Sequence, residues 1–188
     1  MHQTFELWLA QVLFEFQAAV QLMRQDKPLQ AANLVVRSTE IIKVLHDQIH
    51  ILETMSPMDF HEVRRQLGRG SGAESPGFRH LLIKIPPMFK DYEALLARHK
   101  VTLDDVYLRQ DDHYALFKLA EALTDFDMFF QIWRQGHLSM VKRVIGRDVK
   151  SLKGYSVHQL EQDVLANLFP PLWQVRNRLT DVAGTSPA

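Results

Sequence analysis

The chain contains no cysteine. That absence excludes disulfides, cysteine-ligated zinc, iron–sulfur clusters, a thiolate-ligated haem and a cysteine nucleophile together. It suits a reducing compartment. Charge of one sign is also lacking: 22 basic side chains balance 22 acidic ones, for a formal net charge of zero. Such a balance argues against a broad nucleic-acid-binding surface. No apolar segment is long enough to cross a bilayer, so no membrane contact is expected. The opening Met1-His2-Gln3-Thr4-Phe5-Glu6 has no basic stretch followed by an apolar run, so no secretion signal is expected and the protein is assigned to the cytoplasm. No strand pattern, internal repeat or domain linker stands out. Four of the eight glycines fall within residues 68–77, the clearest loop. That loop lacks the Lys-Ser/Thr of a phosphate-binding loop, and no strand precedes it.

What is present is helical periodicity. With 188 residues and 46% hydrophobic content, the chain can bury one domain core. Leu7, Trp8, Val12, Phe16, Val20 and Met23 recur at helical intervals between Phe5 and Met23. Lys27-Pro28 opens a second helix running to about Met55, with Val35, Ile42, Leu45, Ile49 and Leu52 on one stripe. Its length suggests a bundle. Ser56-Pro57-Met58-Asp59 is a helix start: a serine cap, proline in the first position and an acid in the first turn. A helix from Phe78 must be disturbed near Pro86-Pro87, residues 100–112 form a connector with a short helical turn, and a long helix covers about His113 to Ile145. Residues 146–155 form a second polar loop. Short helices near 156–168 and 171–181 close the domain, with Pro170-Pro171 between them. The expected fold is all-α, a single helical domain over residues 1–183 with a flexible tail at 184–188.

The segment Trp133-Arg134-Gln135-Gly136-His137-Leu138-Ser139-Met140-Val141-Lys142-Arg143-Val144-Ile145-Gly146 carries the chemistry. It sets one imidazole, His137, on a helix face otherwise made of Met140, Val141 and Val144. An imidazole in an apolar groove can hold a haem iron while its neighbours cover the porphyrin. The same spacing also describes a core histidine satisfied locally. Of the nine histidines, His46 and His50 stand at i and i+4 but lack the glutamate of a zinc-protease helix, and read as a solvated or interfacial face. The remaining histidines have no partner pattern. Phe126, Phe129, Phe130 and Trp133 read as core. Asp104-Asp105 and Asp111-Asp112 read as solvated connector charges.

Several segments together resemble the tryptophan 2,3-dioxygenase superfamily of haem enzymes. His2-Gln3-Thr4-Phe5-Glu6-Leu7-Trp8 is similar to that family's opening active-site helix, and Leu52-Glu53-Thr54-Met55-Ser56-Pro57-Met58-Asp59-Phe60 to its central run. Ser71-Gly72 and Phe78-Arg79 match the ends of its substrate loop. Trp133-Arg134, His137, Met140-Val141, Arg143 and Ile145-Gly146 match the segment with its iron ligand. Phe169-Pro170-Pro171-Leu172-Trp173-Gln174-Val175-Arg176 is similar to its closing helix. The matches fall in family order.

The resemblance implies a b-type haem in a pocket between helices, with His137 as its proximal iron ligand and Trp133, Met140, Val141 and Val144 around it. His2 would be the distal histidine facing the substrate ring N–H. Arg79 would pair with the substrate carboxylate, a task suited to a flat bidentate guanidinium. The implied partners are a small aromatic substrate and O2, with both oxygen atoms inserted across the indole C2–C3 bond, and copies of the same chain as a dimer or tetramer. Where the family has a Gly-Thr-Gly-Gly-Ser-Ser-Gly loop, this chain has Val149-Lys150-Ser151-Leu152-Lys153-Gly154-Tyr155-Ser156. Ser151 stands in for the threonine hydroxyl, and Lys150 and Lys153 add positive charge. That charge favours an acid over an ammonium group, so Ser151 and Lys153 are candidate substrate contacts. Two alternatives stay open: a haem-dependent aromatic hydroxylase on the same scaffold, and a non-catalytic haem-binding helical protein.

Overall fold

Two serine–proline pairs decide where two of the helices begin. The Ser56 hydroxyl accepts the Asp59 N–H at 3.1 Å and donates to the Asp59 carboxylate at 2.7 Å. The Ser75 hydroxyl accepts the Phe78 N–H at 3.2 Å. In each case a side-chain oxygen satisfies a backbone donor that the first turn leaves unpaired. The proline that follows has no N–H to lose. The second of these helices therefore starts at Pro76, two residues before the start expected from Phe78.

The computed structural model describes residues 2–66, 75–146 and 164–184. In chain order the helices are α1 (His2–Arg24), α2 (Pro28–Glu53), α3 (Pro57–Gln66), α4 (Pro76–Lys84), a 3-10 turn at Pro86–Met88, α5 (Phe89–His99), α6 (Leu103–Leu108), α7 (Tyr114–Ile145) and α8 (Pro170–Val182). All regular structure among the described residues is helical, as the periodicity requires. None of these helices is long and apolar enough to cross a membrane. The expected polar loop at 146–155 lies outside the described residues beyond Gly146, and so does the helix near 156–168 up to Val164. That helix does not reach 168, because residues 165–169 are irregular chain. Pro170 and Pro171 do not separate two helices either; they form the first turn of α8.

α1 and α2 form a tight hairpin. The Lys27 N–H reaches the Leu22 carbonyl at 2.9 Å and the Asp26 N–H reaches Met23 at 3.1 Å. Asp26 takes the left-handed conformation (φ 59°) that such a helix ending needs. Its carboxylate meets His99 Nε2 at 2.6 Å, tying the hairpin to the end of α5. α2 then packs along α7, a 32-residue rod about 48 Å long.

The core is built from aromatic rings. Phe16 and Phe126 lie 4.5 Å apart between centroids, Phe126 and Phe130 5.9 Å, and Phe89 and Phe169 5.7 Å. Each fully buried ring of this kind contributes roughly 1.5–3 kcal/mol by desolvation. Phe169, just before α8, enters the core because Asp127 holds its backbone. The Asp127 carboxylate, 0% exposed, accepts the N–H groups of Leu168 and Phe169 at 3.0 Å each and the Trp173 indole N–H at 2.8 Å. Those bonds account for the irregular 165–169 segment, since the two backbone donors turn to a side chain and not to a preceding carbonyl.

A second polar knot joins α6, α7 and α8. Tyr107 donates to Glu121 at 2.7 Å, and Arg176 pairs with Glu121 at 2.6 Å. Burial, then the Glu121 carboxylate, push the Tyr107 phenol up to about 12.

Candidate functional site

The site grows from one face of α7. Trp133 and His137 are one helical turn apart, so their side chains stack along the rod, with ring centroids 6.4 Å apart. Trp133 is buried and His137 is half-buried. Met140 and Val144, further along the same stripe, are buried in the main core, and half-buried Val141 packs against it. The apolar face expected around His137 is present, and much of it already contacts protein.

α4 closes over this face. Phe78 meets the Trp133 ring edge-on at 5.6 Å and stacks on Phe130 at 6.0 Å. Its neighbour Arg79 is exposed and has no ion-pair partner among the described residues. α4 is held in turn by α1. The Glu6 carboxylate accepts the Ser75 hydroxyl and the Gly77 N–H, the latter at 2.8 Å. A Cβ on residue 77 would stand 2.7 Å from that carboxylate and 3.0 Å from Leu9 Cβ, so any larger residue would push the carboxylate from its place. His2 is the first residue of α1, one turn ahead of Glu6; its side chain lies outside the described part. Three separate segments of the sequence, those of His2, Arg79 and His137, thus meet through Glu6, Phe78 and Trp133. Ser151 and Lys153, the expected contacts from the second loop, lie outside the described residues.

Behind the turn that carries His137 sits α2. A Cβ on Gly136 would be 2.8 Å from His46 Cε1 and 3.0 Å from its Nδ1, so the glycine is a notch for the imidazole. Of the two expectations for this face, solvated or interfacial, His46 takes the interfacial one. The ring is half-buried because α7 supplies the notch, whereas His50, one turn on, is exposed and pairs with Glu53 at 2.8 Å. The Arg143 guanidinium donates to the Glu53 carbonyl, closing the far end of the α2–α7 pair.

Two buried nitrogens near this turn, Trp133 Nε1 and His46 Nδ1, have no hydrogen-bond partner among the described residues. An unpaired buried donor costs about 1–3 kcal/mol. The indole N–H one turn from His137 therefore suits a site that receives a further acceptor. A half-buried imidazole, an apolar stripe and an unpaired indole donor together form a donor set that fits a histidine-ligated haem. No cluster of three or more histidine and carboxylate side chains able to hold a bare metal ion occurs among the described residues. Two surface clefts lie elsewhere. One of about 230 Å³ between α1 and α4 is lined by Glu6, Leu9, Phe14, Gly77 and His80; the other, of about 380 Å³, includes Phe89, Glu93, Gln174 and Arg178, and neither includes His137.

Sequence reading passed over four of these residues. Glu6 lies inside the motif that opens on His2, Ser75-Pro76 repeats the start signal at 56–57, and Asp127 is one of two acids, with Asp125, in an otherwise apolar run. Gly136 gave no local sign of its partner.

Comparison with known proteins finds similarity over most of the chain. The family model of tryptophan 2,3-dioxygenase covers residues 1–87. The tryptophan 2,3-dioxygenase of Bradyrhizobium diazoefficiens is 27% identical over 228 aligned positions, covering 95% of this chain and 82% of that protein. Those of Serratia proteamaculans and Burkholderia orbicola are 25% and 27% identical, again over 95% of this chain and over 81% and 73% of their own lengths. The alignments run longer than this 188-residue chain, so the relatives carry stretches that it lacks. Helical architecture, motif order and similarity over nearly the whole chain thus agree: the chain is similar to the tryptophan 2,3-dioxygenases.

Proposed function

We propose that the protein is a haem-dependent oxygenase that inserts O2 across the C2–C3 bond of an indole bearing an acidic group. The observation that carries this reading is the Phe78–Trp133 contact, which sets the helix of Arg79 against the helix of His137. The relatives are named for action on tryptophan, so L-tryptophan is the first substrate to try. Bound haem would supply the activation of O2 and its transfer to the ring. The residues of this chain do the rest. His137 holds the iron through one imidazole nitrogen, and the Trp133 indole N–H finds an acceptor that the protein alone does not give it. Phe78, Phe130 and Trp133 keep water from that side of the site. Arg79, exposed and without an ion-pair partner among the described residues, offers two parallel N–H donors to a carboxylate. His2 accepts the indole N–H and holds that proton while the ring reacts. The working unit is an assembly of identical chains in the cytoplasm.

The experiment is reconstitution with hemin, followed by ferric, ferrous and ferrous–CO spectra. A histidine-type Soret band is expected, lost in His137→Ala and retained in His2→Ala with impaired turnover. L-tryptophan under labelled oxygen should give a product heavier by two oxygen atoms. One added atom would reassign the protein as a hydroxylase, a histidine-type spectrum with no turnover of any indole would make it a haem carrier, and no Soret band would end the proposal.

A further inference from the structure

Glu6 lies 69 and 71 residues from its two partners, yet it joins two of the three helices of the site. Its carboxylate sits at the N-terminus of α4. There the first turn leaves backbone N–H groups unpaired and the helix dipole favours negative charge. One oxygen accepts from the Ser75 hydroxyl and the other from the Gly77 N–H, while the same Ser75 hydroxyl accepts from Phe78. Glu6 thus takes the Gly77 N–H directly and backs, through the Ser75 hydroxyl, the cap on the Phe78 N–H. Gly77 is shaped for it: an added Cβ would fall 2.7 Å from Glu6 Oε2 and 3.0 Å from Leu9 Cβ. α4 does not depend on this clasp for burial, because Leu81 and Ile85, further along, are 1% and 0% exposed. The clasp governs instead the first turn of α4, which contains Phe78 against Trp133 and leads directly to Arg79.

We infer that Glu6 is a positioning residue for substrate recognition: by clasping Ser75 and Gly77 it fixes where Arg79 presents its guanidinium to the acidic group of an indole substrate. The inference rests on the reading of Arg79 given above. Glu6 touches neither iron nor substrate; it acts through the α4 backbone. In Glu6→Gln the side-chain oxygen can still accept the Gly77 N–H, but the amide forces the Ser75 hydroxyl from donor to acceptor and the charge at the N-terminus of α4 is lost, so the clasp loosens. The guanidinium then samples several positions, and bidentate capture of a carboxylate suffers.

The test uses the hemin-loaded protein and two ligands, L-tryptophan and unsubstituted indole, with binding measured by equilibrium dialysis and haem binding by titration. Glu6→Gln should weaken L-tryptophan about tenfold, the scale of one charge-assisted hydrogen bond. Indole and haem binding should be unchanged. In an Arg79→Ala background the same substitution should have no further effect on L-tryptophan, since the two residues act as one unit. Glu6→Asp, which keeps the charge on a shorter stem, should restore part of the loss. Equal weakening of both ligands, or effects of Glu6 and Arg79 that simply add, would show a general structural role and overturn the inference. If the wild-type protein binds L-tryptophan no better than indole, Arg79 is not an acid anchor and the functional reading fails first. If the wild type discriminates and Glu6→Gln discriminates equally well, only the role of Glu6 falls.

Discussion

Replacing Asp127 tests the most heavily used side chain in the core. Its two carboxylate oxygens serve three close donors: Leu168 N and Phe169 N at 3.0 Å, and Trp173 Nε1 at 2.8 Å. Asp127→Ala leaves all three without a partner. Each unpaired buried donor costs about 1–3 kcal/mol, and bonds to a charged acceptor lie at the upper end. The three losses share one site and overlap, so a total near 4 kcal/mol is expected, a large part of the roughly 5–15 kcal/mol that holds a domain folded. Asp127→Asn keeps the shape. Its oxygen can still serve Phe169 and Trp173, while its amide faces Leu168 N, so about 2 kcal/mol is expected. Urea unfolding followed by far-ultraviolet circular dichroism measures both, and in a Trp8→Phe, Trp133→Phe background tryptophan emission reports Trp173 alone. An alanine variant that loses less than about 1 kcal/mol, or two variants that lose the same amount, would refute this role for Asp127.

Three further expectations follow from the geometry. Gly136→Ala should gain about 1 kcal/mol of helix propensity but lose more by crowding His46, for a net loss of about 1 kcal/mol; in a His46→Ala background the same change should become stabilising, as paired unfolding curves would reveal. Tyr107 is held protonated to about 12 in the folded state, against about 10 when unfolded, so its contribution is complete below pH 10 and fades as pH rises toward 12; ultraviolet titration should find one late phenol that moves down in Glu121→Gln. Asp105 is held down to about 2 by the Thr102 hydroxyl, the Thr102 N–H and then Arg109, so the cap of α6 should persist above pH 4 and weaken as pH falls toward 2. Carboxyl titration by nuclear magnetic resonance should show that low value move toward about 4 in Thr102→Val.

Much of the scaffold was legible because its signals are local. The stripe Val35–Ile42–Leu45–Ile49 and Pro28 defined α2, and the aromatic series through Trp133 defined α7. The placement of His137 on an apolar face also follows from spacing alone. What escaped was pairing across distance. Nothing near Asp127 in sequence announces donors 41 to 46 residues away. Nothing near His46 announces a glycine notch on another helix. Ser75-Pro76 was readable in principle, but the glycine-rich stretch before it obscured a cap identical in kind to Ser56-Pro57. Glu6 stood inside a motif whose meaning was assigned to its first histidine, and its partners became visible only when α4 was laid against α1.

The unbroken length of α7 has an optical consequence. The Asp127 carboxylate that grips the Trp173 indole is ten residues from His137, about 15 Å along the helix axis, and Trp133 is one turn away. Two of the three tryptophans are thus fixed at set intervals from one imidazole. An absorbing group arriving at that imidazole would darken the nearer indole more than the farther one, so the protein's own emission would measure both its occupancy and the straightness of the rod.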